Sequence, residues 1–219
     1  GTALAFGSTG YVDCFRDLPK PNTDALRASA LAYLEKFDQK KWYDDPVTTI
    51  LKGEKLFSPP TNLWITKDAL SNANGHQYFA SPEQVKELKE HIQTYKSPYK
   101  DIRDPLRRIE HLLLTEHSGF LIGNQCIDFQ KQDGVTEMEE SMMANSVERR
   151  MNDLLLDDEE AGKIVINRQP IYVSCVSNFT NFLDLFRKTI RNMELGIPCI
   201  VLGRSNTVQH SYRWAELLM

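Results

Sequence analysis

Cysteine and histidine are the residue types in this chain of 219 residues best suited to nucleophilic catalysis or metal binding. No Cys-x-x-Cys pair occurs, no histidine stands at ligand spacing beside a cysteine, and the five histidines form no metal spacing of their own. We therefore expect neither a metal site nor a disulfide framework. Cys175 and Cys199 stand inside apolar runs, where a thiol behaves as a small hydrophobic group. With Cys14 and Cys126 they are predicted to be free thiols in a reducing compartment, the cytoplasm or an organelle matrix.

Charge and hydropathy exclude several classes of protein. The chain has 26 basic and 30 acidic residues and a net charge of -4, so no positive field attracts a phosphate backbone, and nucleic acid is not an expected partner. No stretch approaches the ~20 apolar residues needed to span a bilayer. The mean hydropathy of -0.43 is typical of a soluble globular protein. The acidic run 157–160 lacks alternating ligand geometry, which favours a solvated loop over a cation site.

The first 160 residues contain patterns that predict helix starts and ends. The helices that these patterns predict would position any site. Capping oxygens at 22–24 precede a helical apolar stripe, and Ser81-Pro82-Glu83-Gln84 has the pattern of a capping box. Asp104-Pro105 predicts a third helix start, with Ser118-Gly119 as its end. A fourth helix is expected from about Thr136 to Leu156. Residues 61–80 are predicted to be irregular, with one short strand at Leu63–Thr66.

The pattern changes after residue 162. Lys163–Ile166 and Ile171–Val176 predict two strands, and a helical stretch after Phe182 leads to a third strand at Pro198–Leu202. Val208–Leu218 predicts a final helix. The fold class is therefore α/β, a helical N-terminal region followed by a βαβα unit with a parallel strand pair. Three regions are predicted: 1–80 of uncertain fold with one helix, 81–162 helical, and 163–219 a partial NAD(P)-binding-like unit.

The last quarter of the chain resembles a known family. The motifs are Arg168-Gln169-Pro170-Ile171, Asn181-Phe182, Gly196-Ile197-Pro198-Cys199-Ile200-Val201 and Ala215-Glu216-Leu217-Leu218. Together they resemble the start of the coenzyme-binding domain of the aldehyde dehydrogenase superfamily, nearest to the branch that acts on ring-cleavage semialdehydes on coenzyme A. The resemblance implies that 163–219 opens a Rossmann domain.

The resemblance also implies a catalytic role for Asn181. In the family, the asparagine after the first strand directs its amide at the oxygen of the tetrahedral intermediate and forms half of an oxyanion hole. Counting from Pro170 selects Asn181, whereas counting back from Gly196 leaves Asn178 as a competitor. A purely structural role for both side chains, bonding the turn backbone after a strand, is the alternative.

Coenzyme contacts are expected at Gly203, Arg204 and Ser205. Leu202 stands where the family usually has a lysine that reaches the ribose, and Ser205 stands where a glutamate often does. Both differences predict weak binding of NAD. The planar guanidinium of Arg204 suits a 2′-phosphate, which would favour NADP, and the turn 203–206 could bring backbone amides near a phosphate. A solvated arginine in a surface turn is the competing interpretation.

No cysteine stands where the family's nucleophile is expected, and the nucleophile and general base of that family lie downstream of the matched region. Two hypotheses follow. The chain is the N-terminal portion of an NAD(P)-dependent aldehyde dehydrogenase, or it is a noncatalytic relative that serves as a scaffold or interaction subunit. Because both apolar strands predict a covered parallel sheet, we expect additional polypeptide, either its own C-terminal part or another subunit, to complete it.

Overall fold

The computed structural model describes residues 21–174, 185–205 and 207–219, without the side chain of residue 187. Its helices are α1 (Thr23–Lys36), α2 (Lys40–Asp44), α3 (Pro82–Thr94), α4 (Tyr99–Leu114), α5 (Ser118–Phe129), α6 (Val135–Glu160), α7 (Arg191–Glu194, preceded by a π-helical turn at Phe186–Ile190) and α8 (Val208–Leu218). Its strands are β1 (Thr49–Leu51), β2 (Glu54–Leu56), β3 (Leu63–Lys67), β4 (Ala73–Tyr78), β5 (Ile171–Ser174) and β6 (Cys199–Leu202). A 3-10 turn at Pro60–Asn62 precedes β3.

Local capping explains the helices that the sequence predicts. The side chain of Asn22 accepts a hydrogen bond from the backbone N–H of Ala25 at the start of α1. Ser81 and Gln84 form both bonds of a capping box at the start of α3. The predicted fourth helix corresponds to α6, which extends through the acidic run 157–160. That run is helical and is not the solvated loop we expected.

The core lies where α1, α4, α5, α6 and α8 meet. Buried leucine, isoleucine and methionine side chains from these helices pack around Trp214 of α8 and Phe186 of the π-helical turn. The members of the core cluster are Leu26, Ala30, Leu106, Leu113, Leu114, Leu121, Ile122, Cys126, Val135, Met138, Leu185, Phe186, Ile190 and Trp214. The last helix is therefore built into the N-terminal helical core.

Helix α5 was not predicted, because Ser118-Gly119 has the pattern of a helix end and the segment is buried on all sides. Its two glycines allow a close approach to α1. A Cβ atom at Gly119 would clash with Ser29, and one at Gly123 would clash with the ring of Tyr33. Tertiary packing, and not local preference, therefore determines this helix.

Helix α4 begins before its predicted start. Pro105 lies inside the helix, where it removes the backbone hydrogen bond to residue 101. The added first turn is held from outside, since Arg103 pairs with Asp153 of α6. Leu106 and Leu113 are buried on the core side, which offsets the lost hydrogen bond.

The strands form three small sheets of two strands each: antiparallel β1–β2, antiparallel β3–β4 and parallel β5–β6. The chain is thus a mixed α/β protein that is mostly helical, and its described residues form no Rossmann sheet. The predicted strand at Lys163–Ile166 is wrong. This segment is irregular, because the N–H of Ile166 bonds the carboxylate of Glu159 and Val165 is 94% exposed. None of the described helices has the length and apolar character required to cross a bilayer.

Candidate functional site

The candidate coenzyme turn follows the carboxyl end of β6. Strands β5 and β6 run in parallel, with Ile171 opposite Cys199 and Ser174 opposite Leu202. Gly203, Arg204 and Ser205 therefore lie at the edge where ligands bind in open parallel sheets. All three residues are exposed. These three consecutive residues thus lie on one accessible turn.

The turn is closed by its own backbone. The N–H of Thr207 donates to the C=O of Arg204 over 3.0 Å, and α8 begins at the next residue. A Cβ atom at Gly203 would lie 3.1 Å from Cγ2 of Val208, so a larger residue here would press on the start of α8. The predicted site residues thus connect directly to the N-terminus of this helix.

A carboxylate from another helix caps that N-terminus. The side chain of Asp128, at the end of α5, accepts a hydrogen bond of 2.9 Å from the backbone N–H of His210 and another from the backbone of Gln209. Asn74 of β4 donates to the same carboxyl group over 2.9 Å. Burial raises the pKa of Asp128 to about 7. The backbone donors that a phosphate would use at this helix are therefore already engaged by an acidic side chain.

Further contacts fasten the β3–β4 hairpin to α8. The side chain of Gln209 donates to Thr66, and a Cβ atom at Gly75 would lie 2.5 Å from that amide nitrogen. Gly75 also has a φ of +147°, a conformation that favours glycine. His210 is completely buried against the ring of Phe129, and burial lowers its pKa to about 3. This histidine is therefore uncharged at neutral pH.

The residues flanking the turn differ from ordinary coenzyme contacts. Leu202, at the end of β6, is 48% exposed and offers no hydrogen-bonding group from its side chain. Asn181 and the competing Asn178 lie outside the described residues. The structure therefore leaves the predicted oxyanion donor untested and places an apolar side chain beside the predicted coenzyme turn.

The two described cysteines are poor nucleophiles. Burial raises the pKa of the Cys199 thiol to about 11, and burial also raises the pKa of Cys126. A thiol in such a state holds little thiolate at neutral pH. Cys14 and Cys175 lie outside the described residues. The two described thiols thus act as packing groups, and within the described ranges no three His, Cys, Asp or Glu side chains cluster as a metal site would require.

Two of the motifs that carry the family resemblance lie close together in the structure. Arg168, just before β5, forms a two-pronged ion pair with Glu159 of α6, and its Nε donates to the C=O of Leu195 over 2.7 Å. Its guanidinium also lies 4.3 Å from the ring centroid of Tyr99. Gly196 has a φ of +80°, and a Cβ atom there would lie 2.5 Å from Tyr99. Arg168 and Gly196 together hold in place the segments that lead into β5 and β6.

A buried acid pair lies between α4, α6 and α7. Glu110 is fully buried, and Asn152 donates to the nearly buried Glu194 over 2.6 Å. Burial raises the pKa of Glu110 well above its ordinary range, and the adjacent Glu194 raises it further. Sequence reasoning missed this pair, because a glutamate on an amphipathic helix is usually solvated.

An open cleft of about 650 Å³ lies beside α1, α2, α5 and α8. Tyr33, Phe37, Trp42 and Phe120 give it an aromatic wall. At its back, the guanidinium of Arg213 donates to the carboxylate and the backbone C=O of Asp45 over 2.7 Å each. No local sequence pattern predicted this cleft, because its lining residues come from four separate segments.

No protein-family model matches this chain, and no curated protein matches its sequence.

Proposed function

We propose that this chain is the N-terminal portion of an aldehyde-dehydrogenase-like protein, which oxidises an aldehyde with NAD or NADP once further polypeptide supplies the thiolate and the general base. One observation carries the proposal. Among the described residues β5 and β6 pair only with each other, and Tyr172, Val201 and Leu202 leave apolar surface exposed on this small parallel sheet. A parallel pair of this kind needs covering layers and further strands to be stable.

The motif geometry supports the family assignment. Arg168 and Gly196 belong to the two motifs that flank the parallel strands, and their contacts through Tyr99 hold those motifs together. A bidentate arginine cannot be replaced by lysine without losing this geometry. In the completed protein, Asn181 would donate its amide to the oxyanion of the reacting aldehyde.

The coenzyme fits these residues poorly. Asp128 takes the backbone donors at the start of α8, and Leu202 contributes no polar contact. Arg204 and Ser205 are the polar side chains left on the turn, and both are exposed. We therefore propose that this portion of the protein binds NAD weakly and that any preference for NADP depends on Arg204.

The same observations favour a second candidate, a noncatalytic aldehyde-dehydrogenase-like scaffold or interaction subunit. An acidic cap on α8 opposes an incoming phosphate, and the described thiols are held in their uncharged form. Such a protein would keep the exposed sheet for a partner subunit and would have no need of a coenzyme.

Calorimetric titration with NAD and NADP tests the noncatalytic candidate. Weak or absent NAD binding is expected, with Arg204→Ala removing any binding of NADP and Ser205→Ala having a smaller effect. Micromolar NAD binding would eliminate the noncatalytic candidate. In the completed protein, Asn181→Ala should slow acylation roughly 100- to 1000-fold, whereas Asn178→Ala should do much less. Equal, small effects would mean that both are turn residues.

The exposed face of β5–β6 can be tested on the 219-residue chain. We expect this chain to bind a hydrophobic dye, and Leu202→Ser in β6 should lower the binding. The matched control Val165→Ser removes an apolar side chain that is also exposed but lies outside both strands. A chain that binds no dye would show that the sheet is already covered and would contradict the proposal.

A further inference from the structure

The β3–β4 hairpin has one occupied edge and one open edge. Val47 covers the outer edge of β4, since its N–H donates to the C=O of His76 and its C=O accepts from the N–H of Tyr78, each over 2.8 Å. Within the described ranges, no strand pairs with the outer edge of β3. An open edge offers unpaired N–H and C=O groups to another strand.

Ile65 is the centre of that edge. The N–H of Phe79 donates to the C=O of Asn62. Because the hydrogen-bonding direction alternates along an antiparallel ladder, the backbone N–H and C=O of Trp64 face β4, and those of Ile65 face outwards. The N–H of Leu63 is used by the 3-10 turn, where it bonds the C=O of Pro60. Ile65 therefore presents both its N–H and its C=O on the open side.

The side chains along the edge are apolar and exposed on both faces of the strand. Trp64 is 58% exposed and Ile65 is 56% exposed, and Leu63 is also exposed. Trp64 rests edge-on against the exposed ring of Phe79, with 5.6 Å between the ring centroids. Natural edges are usually protected by charges, prolines or bulges. Here the bulge and the one charged residue of the strand, Lys67, lie only at its end.

We propose that this edge is a homodimer interface, in which β3 pairs antiparallel with β3 of a second copy across a two-fold axis at Ile65. The two isoleucines then exchange both backbone hydrogen bonds, which is the pattern of a self-complementary strand pair. In this register Leu63 lies opposite Lys67 of the second copy, and Trp64 lies opposite Thr66. No like charges face each other within the strand.

The exposed apolar area sets the expected strength of the dimer. The side chains of the edge and the rings beside it expose on the order of 500 Å² per protomer. A standard stable interface buries about 800 Å² per partner. The pairing is therefore a reversible dimer, and not an obligate one. This inference is independent of the proposed enzymatic function, because β3 lies outside the family-like region.

Sedimentation of the full chain over a range of concentrations tests the pairing. We expect a monomer–dimer equilibrium in the wild type that Ile65→Pro abolishes, since proline removes the outward N–H and costs no bond to β4. Val165→Ser is the matched control and should dimerise like the wild type. A wild-type monomer at every concentration, or a dimer that survives Ile65→Pro, overturns the proposal.

Charge substitutions test the register without relying on proline. Leu63→Lys places like charges opposite each other and should weaken the dimer, whereas Leu63→Glu should strengthen it by facing Lys67 of the second copy. We expect opposite shifts in dissociation constant of about two- to thirtyfold, because the symmetry repeats each exposed pair. Shifts in the same direction would overturn the proposed register and the interface built on it.

Discussion

Asp128 holds the start of α8 at a cost that depends on pH. Its carboxyl group is fully buried, and burial raises its pKa to about 7 from an ordinary 3.8. Between about pH 4 and pH 7 the native state therefore holds one more proton than the unfolded state, so the free energy of unfolding falls as the pH rises. About three pKa units correspond to about 4 kcal/mol.

Asp128→Asn removes this titration and keeps an oxygen for the N–H of His210. The new amide of residue 128 can donate to Oδ1 of Asn74 if the side-chain amide of Asn74 flips. This oxygen is available as an acceptor, because it is buried and has no hydrogen-bond partner among the described residues. Relative to the wild type, we expect the variant to gain about 4 kcal/mol in free energy of unfolding between pH 4 and pH 8.

Urea unfolding at several pH values, followed by the fluorescence of buried Trp214, measures this difference. The control Asp128→Ala leaves the donors of His210 and Asn74 without an acceptor and should cost about 2–6 kcal/mol near pH 4. This cost should shrink as the pH rises to 8, because the alanine variant has also lost the titrating carboxyl group. If the stabilities of the wild type and Asp128→Asn run parallel across the range, Asp128 does not titrate there and our account of the cap is wrong.

Three further predictions concern packing and buried charge. Gly123→Ala should destabilise the protein by about 1–3 kcal/mol in urea unfolding, because its methyl group meets Tyr33, and Tyr33→Leu should relieve part of that loss. Glu110→Gln should flatten the decline in stability between about pH 4.5 and pH 9, since burial raises the pKa of Glu110 to about 9 and the native state holds an extra proton over that range; an unchanged slope there would contradict this. Arg168→Lys should cost about 1–3 kcal/mol and Arg168→Ala at least as much, with equality to the wild type excluding the anchor role.

Much of the helical framework could be predicted from the sequence, because its determinants are local. The bonds at Asn22 and the capping box at Ser81 lie within four residues of the helix starts that they stabilise. Helix α8 and the position of β6 also follow from local patterns. At Asn22 and Ser81 a short stretch of sequence contains both the signal and the groups that satisfy it.

The features that could not be predicted from the sequence depend on contacts between distant parts of the chain. Helix α5 depends on α1 packing against Gly119 and Gly123, and the β4 strand depends on β3 and Val47. At the candidate site, the turn 203–205 could be predicted from its own residues. The cap from Asp128 could not, because it lies about 80 residues away in the chain and only the fold brings it to α8.

We propose that further polypeptide completes this chain into an aldehyde-dehydrogenase-like protein. The intact mass of the protein isolated from its native source is the direct test of this proposal. We expect a polypeptide of about twice the 25.2 kDa of this chain, with the β5–β6 sheet extended by its additional residues. A native polypeptide of 25.2 kDa would contradict this proposal and would favour the noncatalytic subunit.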